Sequence, residues 1–216
     1  MLLVDTRLDP TEGIRLTMEA AQSGSGEAMH LFAVLGASGR MGTPDWPRVL
    51  MFLQRAAEQG FPLAQAELAL LADDAALSGA LAQGETPRPE TWDRLRLAVD
   101  LAAWLRVPST RALRSDPRIG VCESFASPAL CHWLIERGRP HLKRARIDTL
   151  KTYTPIFSEA RNYSSADLDL GQTDVAMHLL RARMCALAGP TTTAMEGRSE
   201  EHTSELQSRL HLVCRL

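Results

Sequence analysis

The chain has 216 residues, of which 45% are apolar and 23% charged, with a formal net charge of −2. At roughly 150 residues per domain, that length allows one domain or two small ones, and the composition excludes a wholly disordered or fibrous chain. The near-neutral charge offers no global basic field to nucleic acid, and no apolar run approaches the roughly 20 residues that span a bilayer.

The amino end, MLLVDTRLDP, has an acid at Asp5 and its first basic residue only at Arg7. That is not the charged start and long apolar stretch of a secretory signal, so a cytoplasmic setting without a membrane partner is expected. From residue 12 to about 106 the sequence repeats itself. Ala20-Ala21, Gly24, Ala28 and the run Phe32 to Leu35 return 36 residues later as Ala56-Ala57, Gly60, Ala64 and Leu68 to Leu71. Trp46 precedes Ala56-Ala57 by ten residues, and Trp92 precedes Ala102-Ala103 by the same ten. The segment Ser78 to Pro89, with Gly79, Gly84, Pro87 and Pro89, takes up the extra length and reads as a loop.

Paired alanines let two helices approach closely, and a glycine shortly after them suits a helix end that needs positive φ. Val49, Leu50 and Leu53, and again Leu95, Ala98 and Val99, supply the buried stripe at helical spacing. One such helix pair cannot bury its apolar face alone, so copies must stack, through local contacts that let the array fold by itself. This pattern resembles the tetratricopeptide-like repeat of the Sel-one type over residues 12–106. The resemblance implies an α-solenoid used mainly for contact with protein or peptide, and it does not imply catalysis.

Leu35 to Gly42, LGASGRMG, resembles a dinucleotide fingerprint, with Gly36, Gly39 and Gly42 at GxxGxxG spacing. That motif needs a helix to begin at once, so that its amides meet the pyrophosphate. Thr43-Pro44-Asp45-Trp46-Pro47 follows instead, and an inter-helix loop is the better reading.

Residues 107–116 lose the helical period and read as a linker. A second unit, residues 117–197, opens with a short strand at Ile119 and Val121. Ser127 is the expected N-cap of a helix, with Pro128 in its first turn and Gly138 and Pro140 at its end. His141 to Ile147 is basic and alternates as a strand, with Lys143, Arg144 and Arg146 forming a solvated patch rather than a nucleic-acid site, since no aromatics interleave. A helix is expected from about Thr173 to Ala188, with Val175, Leu179, Ala182 and Ala186 on one side. The motifs HExxH, GxSxG and GxxxxGK[ST] are absent.

Residues 198–216, RSEEHTSELQSRLHLVCRL, resemble the conceptual translation of a sequencing adapter and are set aside from fold reasoning. Without them the cysteines are Cys122, Cys131 and Cys185 and the histidines His30, His132, His141 and His178. Three scattered cysteines without CxxC spacing point to reduced thiols, neither a disulfide frame nor a zinc site.

The order of PRI, F-x-SP-x-x-C-x-WLIER and the basic strand, then RN-x-SS, then the helix and Met195-Glu196, is similar to the amino-terminal half of bacterial prolyl 4-hydroxylase-like iron(II)/2-oxoglutarate dioxygenases. The resemblance spans about residues 116–197. Together with the repeats it implies a mainly α chain: an α-solenoid of helical-repeat pairs, then an incomplete α+β segment that opens a double-stranded β-helix. In that family two histidines and a carboxylate hold iron, the first pair as H-x-D on a core strand. His30, His132, His141 and His178 are followed two residues on by Phe32, Leu134, Lys143 and Leu180, never by an acid.

No catalytic or metal-ligating residue is therefore carried over, and the family motif would fall after Glu196. The resemblance offers Arg161, Asn162, Ser164 and Ser165 as substrate-loop candidates near the mouth of the cup; as an alternative they form an ordinary polar turn. Iron(II), 2-oxoglutarate and ascorbate are implied for a full-length parent that hydroxylates peptidyl substrates, and no cofactor is expected for this chain. The rival expectation is a non-catalytic helical-repeat adaptor, in which residues 116–197 cap the solenoid.

Overall fold

In the amino-terminal half, helices start where the sequence supplies caps. The computed structural model describes residues 10–116, 118–144, 147–148, 155–156, 164–166 and 168–188. Helices α1 (Pro10–Gln22) and α2 (Gly26–Ala37) are followed by α3 (Trp46–Glu58) and α4 (Pro62–Leu71), so both helices of the second pair begin 36 residues after those of the first. Ser25 accepts from the amide of Ala28 at 3.2 Å to cap α2, and Asp45 accepts from Arg48 at 3.2 Å to cap α3. Gly24 (φ +91°) and Gly60 (φ +76°) turn the chain out of α1 and α3 in the left-handed region, as the repeat predicts.

The pairs pack closely because small residues line the contact. Ala33, Ala56, Ala57 and Ala64 are fully buried beside Leu53 and Leu68. At Gly26 a methyl group would meet Phe61 Cβ at 2.9 Å and the carbonyl oxygen of Ala56 at 3.1 Å, so α2 starts directly against the end of α3. Leu35 to Gly42 is the end of α2 and an inter-helix turn, with α3 starting only at Trp46.

Two features of the third copy differ from expectation. Ser78 to Pro89 is not all loop: Asp74 accepts from the Leu77 amide at 2.9 Å and nucleates α5 (Ala75–Ala82), which runs through Gly79. Trp92 and Ala102-Ala103 do not share one helix. Helix α6 (Glu90–Ala98) ends at an extended Val99, and Asp100 starts α7 (Leu101–Leu105) by accepting from Ala103 at 2.9 Å. Trp92, Leu95 and Val99 are buried, whereas Ala98 is exposed. The indole of Trp104 donates to the carbonyl of Leu71 at 3.0 Å, tying α7 to the end of α4.

The stretch read as a linker contains strand β1 (Arg111–Ser115), antiparallel to β2 (Arg118–Val121). Its polar sequence suits a ribbon whose first strand is exposed throughout. Helix α8 (Pro128–Gly138) starts as predicted, Ser127 accepting from Leu130 at 3.2 Å. A single 3-10 turn (Arg139–His141) leads into β3 (Leu142–Arg144), then β4 (Ile147–Asp148), β5 (Pro155–Ile156) and β6 (Ser164–Ala166). Strands β3 and β6 pair antiparallel and β4 pairs with β5, so the pairings are nested between α8 and the last described helix, α9 (Val175–Ala188).

Helix α9 packs against α2, α4 and α7. It buries Val175, Ala176, Leu179, Leu180 and Cys185, while Ala182 is half-buried and Ala186 exposed. Val175, Ala176, Leu179, Leu180 and Leu130 join the same apolar core as Ala33, Leu53 and Leu68. The core thus runs unbroken across residues 107–116, because the apolar side of α9 covers helices of the repeat half. Among the described residues no helix is long and apolar enough to cross a membrane.

Candidate functional site

The nested strands give the predicted substrate-loop residues their only described geometry. Backbone register pairs Arg144 with Ser164 and Lys143 with Ser165, so the two serines lie beside the basic strand. Ser164 is exposed. Arg161 and Asn162 lie outside the described residues, as does the segment 198–216.

A second constellation, which the sequence reading did not single out, sits where α2, α4, α8 and α9 meet. Glu67 occupies the apolar side of α4, one residue before Leu68, and its side chain is wholly buried. One carboxylate oxygen lies 2.9 Å from Nε2 of His30 on α2; the other accepts from the Ala176 amide in the first turn of α9 at 2.7 Å. The His30 ring is held against Phe61, with centroids 5.3 Å apart. Asp174, also wholly buried, caps α9 by accepting from Met177 at 2.8 Å. Its other oxygen accepts from the Trp133 indole at 3.0 Å and from Nε of Arg137 at 3.3 Å. Arg137 also donates to the carbonyl of Gln172 at 2.7 Å, fixing α8 to the turn that precedes α9.

Burial sets the electrostatics of this joint. Loss of water pushes the Asp174 carboxyl up to about 6, and the nearby Glu67 charge pushes the same way, against the Met177 amide, the Trp133 indole and Arg137. Burial also pulls His178, one turn into α9, down to about 4, helped by the charges of Arg181 and Arg40. Its Nε2 is buried without a hydrogen-bond partner among the described residues, as suits a neutral imidazole.

An iron centre of the two-histidine, one-carboxylate kind needs three donors with lone pairs aimed at one point. These residues do not fit it. His30 and Glu67 are bound to each other, Glu67 is further engaged by Ala176, and both oxygens of Asp174 are taken by α8 and α9. Among the described residues no group of three His, Cys, Asp or Glu is arranged to hold a metal ion. The joint can therefore hold elements together, but it presents no reachable acid or base to a substrate.

A third feature is an open groove of about 580 Å³ along α3 and α6, lined by Arg48, Met51, Arg55, Glu58, Asp93 and Arg96. It is accessible, mixed in charge and partly apolar. The signal for Glu67 was available in the sequence: an acid at the helical spacing of Ala64, Leu68 and Leu71 sits on a face that should be apolar. Nothing local marks Ala176 as its partner, 109 residues away. Comparison with protein-family models, with curated proteins and with solved structures finds no match to this chain.

Proposed function

We propose that this chain is the protein-contacting front end and the opening segment of an iron(II)/2-oxoglutarate dioxygenase of prolyl 4-hydroxylase type, acting in the cytoplasm on peptidyl substrates. In this reading α1–α7 are the start of an α-solenoid whose α3–α6 groove receives a protein or peptide, and β3–β6 begin a double-stranded β-helix. The observation that carries it is the antiparallel register of β3 with β6, which sets Ser164 and Ser165 beside Lys143 and Arg144. The resemblance places Ser164 and Ser165 on the loop near the mouth of such a cup, where hydroxyls can contact substrate. The resemblance places the iron-binding motif after Glu196, and iron, 2-oxoglutarate and ascorbate belong to the full-length parent.

The second reading, a non-catalytic adaptor, is favoured by the burial of α9 against α2, α4 and α7, since a segment that caps an array needs no further strands. The source reading frame beyond Gly197 separates the two. An H-x-D followed later by a second histidine supports the dioxygenase, and its absence leaves the adaptor. For the 216-residue chain, succinate formation from 2-oxoglutarate with ferrous iron is expected to equal a metal-free control; turnover above that control overturns the assignment of the metal ligands.

A further inference from the structure

We propose that Glu67 is an internal latch: its carboxylate holds the first turn of α9 on the repeat half and thereby keeps in place the α8 contact and the turn before α9, where the Gln172 amide donates to Asp169 at 3.1 Å. The geometry is directional. A carboxylate oxygen of α4 receives the Ala176 amide at 2.7 Å, at a helix end where the unpaired amides and the dipole favour negative charge. The other oxygen is engaged by His30 on α2, so three helices meet on one side chain.

An apolar residue at position 67 would pack the same face beside Ala64, Leu68 and Leu71 without burying a charge. The acid is therefore explained by what it binds rather than by the space it fills. It also changes the undocked state. When α9 leaves, the apolar surface of Val175, Ala176 and Leu179 meets water at a penalty, whereas Glu67 and His30 regain hydration, so the polar contact adds direction to a docking that the apolar core also holds. Opening frees Asp174 from α8 too, because Trp133 and Arg137 reach the residue that caps α9.

Hydrogen exchange read by mass spectrometry on the whole chain tests this, since amide protection reports local opening region by region. Glu67→Leu removes the acceptor but keeps an apolar filling. We expect it to lower protection in α9 by about tenfold or more, with α3 changed by less than about threefold, as for loss of one buried charge-assisted bond. Glu67→Gln, which keeps an oxygen for the Ala176 amide, is expected to hold α9 within about threefold of the parent chain. Ala176→Pro removes the donor in the first turn of α9, though its ring also adds atoms at a wholly buried alanine, and should likewise lower protection in α9 selectively. Unchanged α9 protection in Glu67→Leu, or equal loss in α3 and α9 in both Glu67→Leu and Ala176→Pro, overturns the latch.

Discussion

The amino-terminal helices and the α8–α9 region bury their partners by different means. Between α2, α3 and α4 the contact is apolar and close, carried by fully buried Ala33, Ala56, Ala57, Ala64, Leu53 and Leu68. Where α9 meets α4 and α8, the same core is crossed by Glu67, Asp174, Trp133 and Arg137. Close packing of small side chains is additive and non-directional, so it tolerates repetition. A buried polar joint is specific to its partners, and each member left alone destabilises what it holds. One half is a pattern that can be copied; the other is a fitted connection.

The largest effect should come from testing whether the halves share one core. Leu68 on α4 and Leu179 on α9 are both wholly buried in it. Leu68→Ala and Leu179→Ala should each lower the urea-unfolding free energy by about 2–5 kcal/mol, through lost burial and the cavity left behind. A single transition, seen alike by tryptophan fluorescence and far-ultraviolet circular dichroism, is expected for both. A Leu179→Ala chain that loses only a minor early transition would mean that the repeat half folds alone and α9 merely rests on it.

The second effect concerns pH and two buried groups of the α9 region. Asp174, raised from 3.8 to about 6, holds its proton more tightly when folded, so its contribution is full below the unfolded value and is lost as pH rises toward 6. His178, lowered from 6.5 to about 4, works the other way: its contribution is full above 6.5 and is lost as pH falls toward 4. Between pH 4 and 6 the two oppose each other, each by at most about 1.4 kcal/mol per pH unit. His178→Leu should therefore make stability fall more steeply with rising pH across that window than in the parent chain. Asp174→Asn, which retains an oxygen for the Met177 amide, should make it rise more steeply. Parallel pH profiles for all three proteins in urea would remove both groups from the balance.

Much of the first half was legible in the letters. The 36-residue offset located α1 to α4, the glycines at 24 and 60 marked the turns, and Ser127 with Pro128 marked α8. These are local rules, satisfied within a turn of the residue that carries them. Where reading failed, two local rules competed. Asp74 starts a helix that runs into the stretch read as loop, Ser78 to Pro89, and Asp100 starts a new helix between Trp92 and Ala102-Ala103, whose spacing matched that of the copy before. The exposed strand β1 carries no alternation because neither of its faces is buried. The joint at Glu67 was legible only as an acid on the wrong face of α4, because its partners come from α2 and α9 and no local rule names them.

The smallest effect compares one cap from each region. Ser25 caps α2 and Ser127 caps α8 with the same geometry, each hydroxyl 3.2 Å from the amide three residues on. Replacing either by alanine leaves a first-turn amide to water and should destabilise by about 1 kcal/mol. The distribution of that loss is more telling than its size. If the core is shared, Ser25→Ala and Ser127→Ala lower the global unfolding free energy equally, since each helix contributes buried leucine or alanine to it. Hydrogen exchange separates this from a local effect: Ser127→Ala that loosens α8 while leaving the slowest-exchanging amides of α3 untouched would place α8 outside the cooperative unit, and would restrict the fitted connection to Glu67 and α9.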